Sequence, residues 1–250
     1  MKAMVFAAGL GTRLGSLTSD RPKALVEIDG HTLLEIALAR LRRFGVRDVV
    51  INVHHFADKI VDYLRANQDF GFHIDVSREP VLLDTGGGLK QAAPFFLNSR
   101  QDPQAPIVIH NVDVLSTIDL YKLAAAHREG NALATLAVQD RETSRYLLFD
   151  QKLHLCGRRI GKDGTAELVR ASRTMQPLAF SGIHIVSPRI LAMMTETGPF
   201  SIVTSYLRLA GQNETIAGFR ADDCYWRDLG RPADLQQAAL DFAGKDLREI

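Results

Sequence analysis

Two glycines and two cations lie close together near the N-terminus, at Gly9, Gly11, Arg13 and Lys23. Glycine lets backbone amides approach an anion without a Cβ in the way, and the planar guanidinium of arginine forks onto phosphate oxygens. Pro22 keeps the segment that carries Lys23 out of a helix. This spacing predicts that Arg13 and Lys23 bracket a polyphosphate.

Other glycine-rich nucleotide motifs do not fit this segment. A dinucleotide fingerprint requires a third glycine at position 14 and an acidic residue at the end of the second strand, where this chain has Leu14 and Asn52. A Walker A loop requires Gly-Lys-Ser/Thr, which the segment lacks. The sequence therefore argues against NAD or FAD binding and excludes a P-loop kinase or ATPase.

Two further polar segments follow apolar runs in the first half of the chain. Asp113 follows the apolar residues 107–109, which predicts a position at the carboxyl edge of a sheet, where open α/β sheets bind ligands. Gly86, Gly87 and Gly88 precede an amphipathic stretch and would leave amides and carbonyls open to a flat ligand edge.

The elements that position these residues alternate between short apolar runs and amphipathic stretches. Runs typical of strands lie at 3–8, 48–53, 73–76, 107–110 and 132–138, and stretches typical of helices lie at 32–44, 57–66, 88–96 and 117–128. This alternation predicts βαβ units and a mostly parallel sheet. Thr32 and Glu35 have the capping-box form, and Gly45 occupies the position of a left-handed helix end.

The second half of the chain has a different pattern. Short strands with turn residues are expected at 145–149, 152–155 and 180–186, as antiparallel additions to the same sheet. Ser187-Pro188 and Arg231-Pro232 are typical of helix starts. We predict a three-layer, Rossmann-like α/β fold in one domain, residues 1–250.

Composition limits the classes of function. The chain has 30 basic and 29 acidic residues and a net charge of +1, which argues against a nucleic-acid or membrane-surface protein. Its longest apolar stretch is too short to span a membrane, and the N-terminal residues lack the charged region and long apolar segment typical of a secretory signal. Two cysteines in no paired spacing suggest neither disulfides nor a zinc site. We expect a cytoplasmic protein.

The segment 6–25, Phe-Ala-Ala-Gly-Leu-Gly-Thr-Arg-Leu-Gly-Ser-Leu-Thr-Ser-Asp-Arg-Pro-Lys-Ala-Leu, resembles the N-terminal motif of the sugar-phosphate nucleotidylyltransferases. The resemblance continues in order through Asp84–Gly88, Asn111-Val-Asp113, Phe180-Ser-Gly182 and Tyr225-Trp-Arg-Asp-Leu-Gly230. The chain is similar in length to the compact uridylyl- and guanylyltransferases of the family. Ser16 and Val112 stand where the family often has proline and glycine.

The resemblance implies a reaction, a metal and a set of site residues. A nucleoside triphosphate, with UTP or GTP favoured, would react with a sugar 1-phosphate in a Mg²⁺-dependent reaction that releases pyrophosphate. It implies a nucleotide-binding part at about 1–115 and a sugar-phosphate-binding part at about 116–250. Implied catalytic residues are Arg13, Lys23, Asp113 and Asp228, of which the two aspartates would hold Mg²⁺. Implied nucleotide contacts are Ala8, Gly9, Gly11, Thr12, Arg13, Thr85 and Gly86, and implied sugar-phosphate contacts are Asn111, Ser181 and Gly182.

Two alternatives stay open at this stage. A cytidylyltransferase for phosphocholine or another alcohol phosphate would share the loop and the carboxylates. A regulatory protein that binds a nucleotide sugar without turnover would share the fold but would not need both aspartates. The sequence leaves the sugar, the base and the oligomeric state undetermined.

Overall fold

The fold is a central sheet with helices on both faces, described here from a computed structural model for residues 1–97, 102–161 and 163–250. The strands, in chain order, are β1 (Lys2–Phe6), β2 (Glu27–Ile28), β3 (His31–Thr32), β4 (Asp48–Val53), β5 (His73–Arg78), β6 (Ile107–Asn111), β7 (Val114–Ser116), β8 (Ala134–Gln139), β9 (Arg145–Phe149), β10 (Leu155–Ile160), β11 (Ala166–Leu168), β12 (Gln176–Val186), β13 (Ile216–Arg220) and β14 (Trp226–Asp228). Ten of them form the main sheet, and the pairs β2–β3 and β7–β14 form two small ladders.

Seven α-helices and several 3₁₀ turns connect these strands within the described residues. The helices are α1 (Leu33–Arg43), α2 (Ala57–Ala66), α3 (Asp84–Leu97), α4 (Leu120–Glu129), α5 (Ile190–Met193), α6 (Ile202–Gly211) and α7 (Pro232–Asp241). The 3₁₀ segments are Thr12–Thr18, Lys23–Leu25, Gln68–Gly71 and Leu247–Glu249. No helix in the described ranges is long and apolar enough to cross a membrane.

The parallel half of the sheet is centred on β1. Strands β4 and β6 pair with β1 on either side, and β5 continues the sheet beyond β4. Phe6, the last residue of β1, is in register with Asn52 on one side and Asn111 on the other. Because all three strands run in the same direction, the loop after Phe6 emerges between these two asparagines.

The antiparallel half of the sheet is organised by the long strand β12. Ile185 pairs with Val108 of β6 and with Thr135 of β8, so β6 and β8 lie on opposite edges of β12. Further along the same strand, Ala179 pairs with Tyr146 of β9 and with Gln139 of β8. Strands β6 and β9 therefore occupy the same edge of β12 in succession and leave a gap between them.

The sheet separates two apolar clusters, as expected for a three-layer fold. In β1, Ala3 and Val5 belong to the cluster that includes residues of α1, α2, α4 and α7, whereas Met4 belongs to the cluster that includes residues of α3, α5 and α6. This alternation follows from the two-residue period of a strand with both faces buried. The predicted α/β fold with a mostly parallel sheet and antiparallel additions is confirmed.

Local signals located several elements correctly. Strand β4 and helix α2 have the predicted bounds, and at the start of α1 the Thr32 hydroxyl accepts a hydrogen bond from the Glu35 amide at 3.1 Å. Gly45 has φ of 74° after the helix, as the predicted left-handed end requires.

Other predicted elements were wrong in extent. Helix α3 begins at Asp84 rather than residue 88, so the three glycines lie inside it. Strand β10 begins at Leu155 rather than residue 152, and the helix expected after Pro188 is the four-residue α5. Helix α6 was not predicted, because Ile202, Val203 and Thr204 are β-branched residues that favour strands until tertiary packing decides otherwise.

Candidate active site

Two adjoining cavities open at the carboxyl edge of the parallel strands. The first cavity has a volume of about 480 Å³ and the second about 580 Å³, and both are lined by Phe6, Asp84, Thr85 and Asn111. Among the residues predicted for the site, the first is lined by Ala8, Gly9, Gly11, Thr12, Arg13, Lys23, Thr85, Asn111 and Asp113. The second is lined by Thr85, Asn111, Ser181, Gly182 and Asp228. Gly86 is the one predicted residue that lines neither.

The glycine loop after β1 exposes its backbone to the first cavity. Gly11 has φ of 69°, and a Cβ at this position would lie 2.9 Å from the Thr18 side chain and 3.0 Å from Lys23 Cβ. Glycine is therefore required there for both conformation and space. Within the described part of the chain, the amides of Gly9, Leu10 and Gly11 have no hydrogen-bond partner, which leaves them available to an anion.

The two predicted cations pair with the two predicted carboxylates. Lys23 Nζ forms a close ion pair with Asp113, and the Lys23 side chain is only 8% exposed. Arg13 Nη2 lies 3.7 Å from Asp228 Oδ1, and the Arg13 side chain is 56% exposed. The buried lysine is held in place, whereas the exposed arginine has freedom to follow a ligand.

A small antiparallel ladder places the two aspartates at one location. Strand β14 pairs with β7 so that Asp228 is opposite Val114, the residue after Asp113. The Leu229 amide donates to the Asp113 carbonyl at 2.7 Å, and the Gly230 amide donates to Asp228 Oδ1 at 2.7 Å. Residues 115 positions apart in the chain are thus held side by side.

This arrangement fits a hard divalent cation that completes its shell with phosphate and water oxygens. Two carboxylates beside an anion-binding loop are the ligands that Mg²⁺ commonly takes in phosphate chemistry. In residues 1–97, 102–161 and 163–250 there is no cluster of three or more His, Cys, Asp or Glu side chains that would hold a metal by itself. A cation here would depend on a bound phosphate.

Arg40 stabilises the ladder between β7 and β14 through hydrogen bonds to the backbone at the end of β7. Its guanidinium is buried and donates to the carbonyl oxygens of Ser116 and Ile118, at the end of β7. Burial lowers the pKa of Arg40 to about 10. These hydrogen bonds hold the chain at the end of β7, the strand that begins next to Asp113.

A buried polar network that sequence reasoning missed organises the other side of the first cavity. Asn52 Oδ1 accepts from the Ala7 amide at 2.8 Å, and Asn52 Nδ2 donates to Glu79 Oε1 at 2.6 Å. The other Glu79 oxygen accepts from the Leu83 amide at 2.9 Å. These two side chains therefore connect the end of β1 to the start of α3. The available signal was a polar asparagine near the end of one predicted strand and a glutamate shortly after the next.

The three glycines of α3 let neighbouring groups pack closely against the helix, instead of leaving their amides open to a ligand as expected. A Cβ on Gly88 would lie 2.7 Å from Glu79 Oε1, and one on Gly86 would lie 2.3 Å from the Phe200 ring. The Gly86 amide donates to the Phe200 carbonyl at 2.9 Å. The Gly86 amide is therefore not free to donate to a ligand, and the expected contact of Gly86 with the nucleotide stays a prediction. Thr85 does line the cavity, while its hydroxyl accepts from the Ile202 amide at 3.0 Å.

The second cavity lies in the gap between β6 and β9 along β12. The positive φ of 70° at Gly182 marks the bend there, and a Cβ on Gly182 would lie 2.7 Å from Asn111 Nδ2. Trp226 Nε1 donates to the Ser181 carbonyl at 2.7 Å, which satisfies backbone left unpaired by the gap. Trp226 is half-buried: it packs against the hydrophobic core and also lines this cavity.

Two buried histidines, His110 on β6 and His184 on β12, are neutral, and His184 also lines the second cavity. Burial, the larger cause, and the nearby Arg40 charge lower the pKa of His110 to about 3. Burial and His110 lower the pKa of His184 to about 3. These imidazoles carry no charge at neutral pH, so the positive charge in the cleft comes from lysine and arginine.

Known proteins that are similar to this chain along most of its length are nucleotidyl transferases. A family model described as nucleotidyl transferase matches residues 2–151. The N-acetylmuramate alpha-1-phosphate uridylyltransferase of Caulobacter vibrioides is 34% identical over 239 residues, which cover 92% of each chain. The mannose-1-phosphate guanyltransferase of Yarrowia lipolytica is 28% identical over 242 residues, which cover 94% of this chain and 62% of that one.

A solved structure shares the fold. The crystal structure of HddC from Yersinia pseudotuberculosis complexed with GMP-PN matches with a TM-score of 0.74 at 22% identity. The match covers 96% of this chain and 99% of that chain. The likeness extends to nearly all the elements described above.

Proposed function

This chain belongs to the nucleotidyl transferase family, and from that premise we propose that it joins a nucleoside triphosphate, UTP or GTP, to a sugar 1-phosphate. The products would be a nucleotide sugar and pyrophosphate. The observation that carries the proposal is the meeting of two cations and two carboxylates, Lys23 with Asp113 and Arg13 with Asp228, beside the open glycine loop.

In the proposed reaction, an oxygen of the sugar 1-phosphate attacks the α-phosphorus of the triphosphate. A new P–O bond forms as the bond to the bridging α–β oxygen breaks, and that electron pair leaves with pyrophosphate. Both reactants are anions, so catalysis depends on positioning and charge stabilisation more than on an acid or base. Lys23 would hold the α-phosphate or the incoming phosphate, and Arg13 would steady the leaving pyrophosphate.

Asp113 and Asp228 would hold Mg²⁺ in this proposal. Bound there, the ion would offset phosphate charge in the transition state. Binding of the substrates and the ion would exchange the present ion pairs for new ones. Lys23 and Arg13 would move from carboxylate to phosphate oxygens, which keeps the charges in the cleft balanced.

The two cavities support a division of the chain near residue 115. The first is lined almost entirely by residues before that point, and the second mainly by residues after it. We assign the first to the nucleotide, with Ala8, Gly9, Gly11, Thr12 and Thr85 in contact with it. The second would take the sugar, with Asn111, Ser181 and Gly182 in contact.

The cytoplasmic location stays a prediction.

Phosphocholine is a poorer fit to the second cavity than a sugar phosphate. A quaternary ammonium group is recognised by a cage of aromatic faces. Here the guanidinium of Arg141 covers the Trp226 ring at 3.5 Å from its centroid, and Arg145 and Arg159 also line the wall. A cationic head group would be repelled by these side chains.

The test is pyrophosphate release in a matrix of substrates with MgCl₂. UTP, GTP, CTP, ATP and dTTP are each combined with the 1-phosphates of N-acetylmuramate, mannose, heptose, glucose and N-acetylglucosamine, and with phosphocholine. We expect turnover with UTP or GTP and a sugar 1-phosphate, abolished by EDTA. A folded protein that binds a nucleotide sugar but is inactive with every pair would overturn the proposal in favour of a regulatory role.

A further inference from the structure

The proposed reaction needs positive charge on both sides of the reacting phosphorus. In an in-line displacement, the attacking oxygen and the leaving pyrophosphate lie on opposite sides of the α-phosphorus. Arg13 and Lys23 line the first cavity, where they would contact the triphosphate. The sugar 1-phosphate is a second anion and approaches from the second cavity, so a cation there would reduce the repulsion between the two phosphates.

Four arginines line the second cavity, and three of them are poorly placed for this role. Arg145 is exposed at the start of β9, and Arg158 Nε lies 2.6 Å from a carboxylate oxygen of Glu167 on β11. Arg159 lies on β10, which is separated from β6 by β9 and β12. The fourth arginine, Arg141, comes from the loop after β8 and has different surroundings.

Arg141 is held at the bend of β12 by two contacts. Its Nη2 donates to the Phe180 carbonyl at 3.0 Å, and its guanidinium carbon lies 3.5 Å from the centroid of the Trp226 ring. Trp226 in turn donates to the next carbonyl of β12, that of Ser181, at 2.7 Å. The two stacked side chains thus satisfy consecutive carbonyls where the register of β12 shifts, and the guanidinium is fixed in place.

These contacts place Arg141 next to the reacting groups. Trp226 lies two residues before Asp228 in β14, and Asp228 Oδ1 lies 3.7 Å from Arg13 Nη2. Burial lowers the pKa of Arg141 to about 10, and the charge of Asp228 partly opposes this shift. Arg141 is therefore charged at neutral pH, and Asp228 lies near one arginine of each cavity.

Most of the hydrogen-bonding capacity of Arg141 is unused. Among the residues that the structure describes, its Nε and Nη1 have no hydrogen-bond partner, and no carboxylate oxygen lies within 4.0 Å of its nitrogens. A guanidinium has its five N–H groups in one plane, and stacking on Trp226 leaves the edge of that plane available. A charged group removed from water without an anion is costly, so this position favours a bound anion.

We propose that Arg141 binds the phosphate of the incoming sugar 1-phosphate and directs its attacking oxygen towards the α-phosphorus. Lys23 is then left to the α-phosphate and Arg13 to the pyrophosphate, so that each phosphate group has its own cation. Arginine is suited to this role because its planar fork matches phosphate oxygens and remains protonated throughout the reaction. The proposal rests on the proposed transfer and adds a catalytic residue from the second cavity.

The first test compares wild type with Arg141→Met and Arg141→Lys. The control is Arg42→Met, because Arg42 is an exposed arginine stacked on Phe72, 5.1 Å from the ring centroid, and lines neither cavity. The readouts are kcat, the KM values for the triphosphate and for the sugar 1-phosphate that wild type uses, and inhibition by inorganic phosphate in competition with that sugar 1-phosphate. Inorganic phosphate probes the phosphate position alone, independently of the sugar.

We expect Arg141→Met to raise both the KM for the sugar 1-phosphate and the inhibition constant of inorganic phosphate at least about tenfold. The KM for the triphosphate should change less than about twofold, Arg141→Lys should be intermediate, and Arg42→Met should resemble wild type. A higher KM for the sugar 1-phosphate with unchanged inhibition by inorganic phosphate would overturn the proposal, because Arg141 would then only shape the bend.

The second test uses the unmodified protein and stays decisive if Arg141→Met does not fold. Trp226 is the single tryptophan of the chain, so tryptophan fluorescence reports on the guanidinium stacked on it. Titration with inorganic phosphate at constant ionic strength should change this fluorescence to saturation, and the same concentrations of chloride should not. Absence of a response would overturn the proposal. Absence of turnover with every substrate pair would count against the transfer itself, whereas the phosphate titration would still decide whether Arg141 binds phosphate.

Discussion

The two cavities are built in different ways. The first is formed by one short loop, two nearby cations and the ends of parallel strands, so most of its contacts come from backbone groups within a few residues of each other. The second is formed by side chains from β9, β10, β12 and β14, which meet only because β12 changes partner along one edge. A local, backbone-built site suits a substrate part common to many relatives, whereas a side-chain-built site suits the part that varies.

This comparison predicts that substitutions in the first cavity lower kcat and that those in the second change sugar recognition or the stability of β12. Lys23→Met should have the largest effect, lowering kcat by about a thousandfold, or ~4 kcal/mol, because a buried cation is removed from the reacting phosphates. Steady-state pyrophosphate release measures it. Lys152→Met, an exposed lysine in the turn before β10, is the matched control. A loss below about tenfold would show that Lys23 is not catalytic.

Asp228→Asn tests the connection between the cavities, because Asp228 lines the second cavity and pairs with Arg13 of the first. Asparagine keeps an oxygen for the Gly230 amide but removes the charge. We expect kcat to fall about a hundredfold and the half-saturating Mg²⁺ concentration to rise. Titrations of MgCl₂ at saturating substrate measure both. Asp234→Asn, in α7, should behave like wild type, and full activity of Asp228→Asn would remove Asp228 from the site.

Acid should destabilise the protein through His184, on β12. Its pKa is lowered to about 3 in the folded state, so between pH 6.5 and pH 3 the unfolded chain binds the proton and the folded chain does not. Stability is therefore lost as the pH falls through this range, by about 2 kcal/mol from pH 7 to pH 5 for this one group. Urea unfolding of wild type and His184→Leu at both pH values measures the difference. His73→Asn, exposed on β5, should follow wild type, and identical pH dependence in all three would contradict the assignment.

Trp226→Phe should give the smallest effect and the most selective one. Loss of the indole donation to the Ser181 carbonyl costs about 1 kcal/mol, and it loosens the bend that shapes the second cavity. We expect KM for the sugar 1-phosphate to rise severalfold, with KM for the triphosphate unchanged. Tyr121→Phe, on the exposed face of α4, is the aromatic control. Equal increases in both KM values would show that the cavities are not independent.

The same contrast explains what could be predicted from sequence. Gly11, Lys23 and Asp113 were found because a strand followed by a glycine turn is a local pattern, and the order of parallel strands brings their ends to one edge. Their catalytic and binding roles stay predictions. Helix α2 and strand β4 were located for the same reason, since their periodicity is contained within each segment.

The second cavity left little local signal. Arg145 and Arg159 are ordinary strand arginines by sequence, and only the pairing of β9 with β10 and β12 brings them to this cavity. The glycines of α3 suggested a loop by composition, and only their contacts with Phe200 and Glu79 show why a helix tolerates them. Long-range packing determines both the position of these arginines and the conformation of these glycines. Local patterns in a single sequence do not reveal such packing.

The ladder between β7 and β14 has a consequence for synthesis of the protein on the ribosome. The glycine loop, Lys23 and Asp113 emerge early, but Asp228 joins them only after more than a hundred further residues have been made. A growing or prematurely terminated chain thus has a place for the triphosphate without the second carboxylate. Under the role proposed for Asp228, such a fragment would be unable to consume nucleotide, and turnover would begin only with chains that have been translated through the last strand.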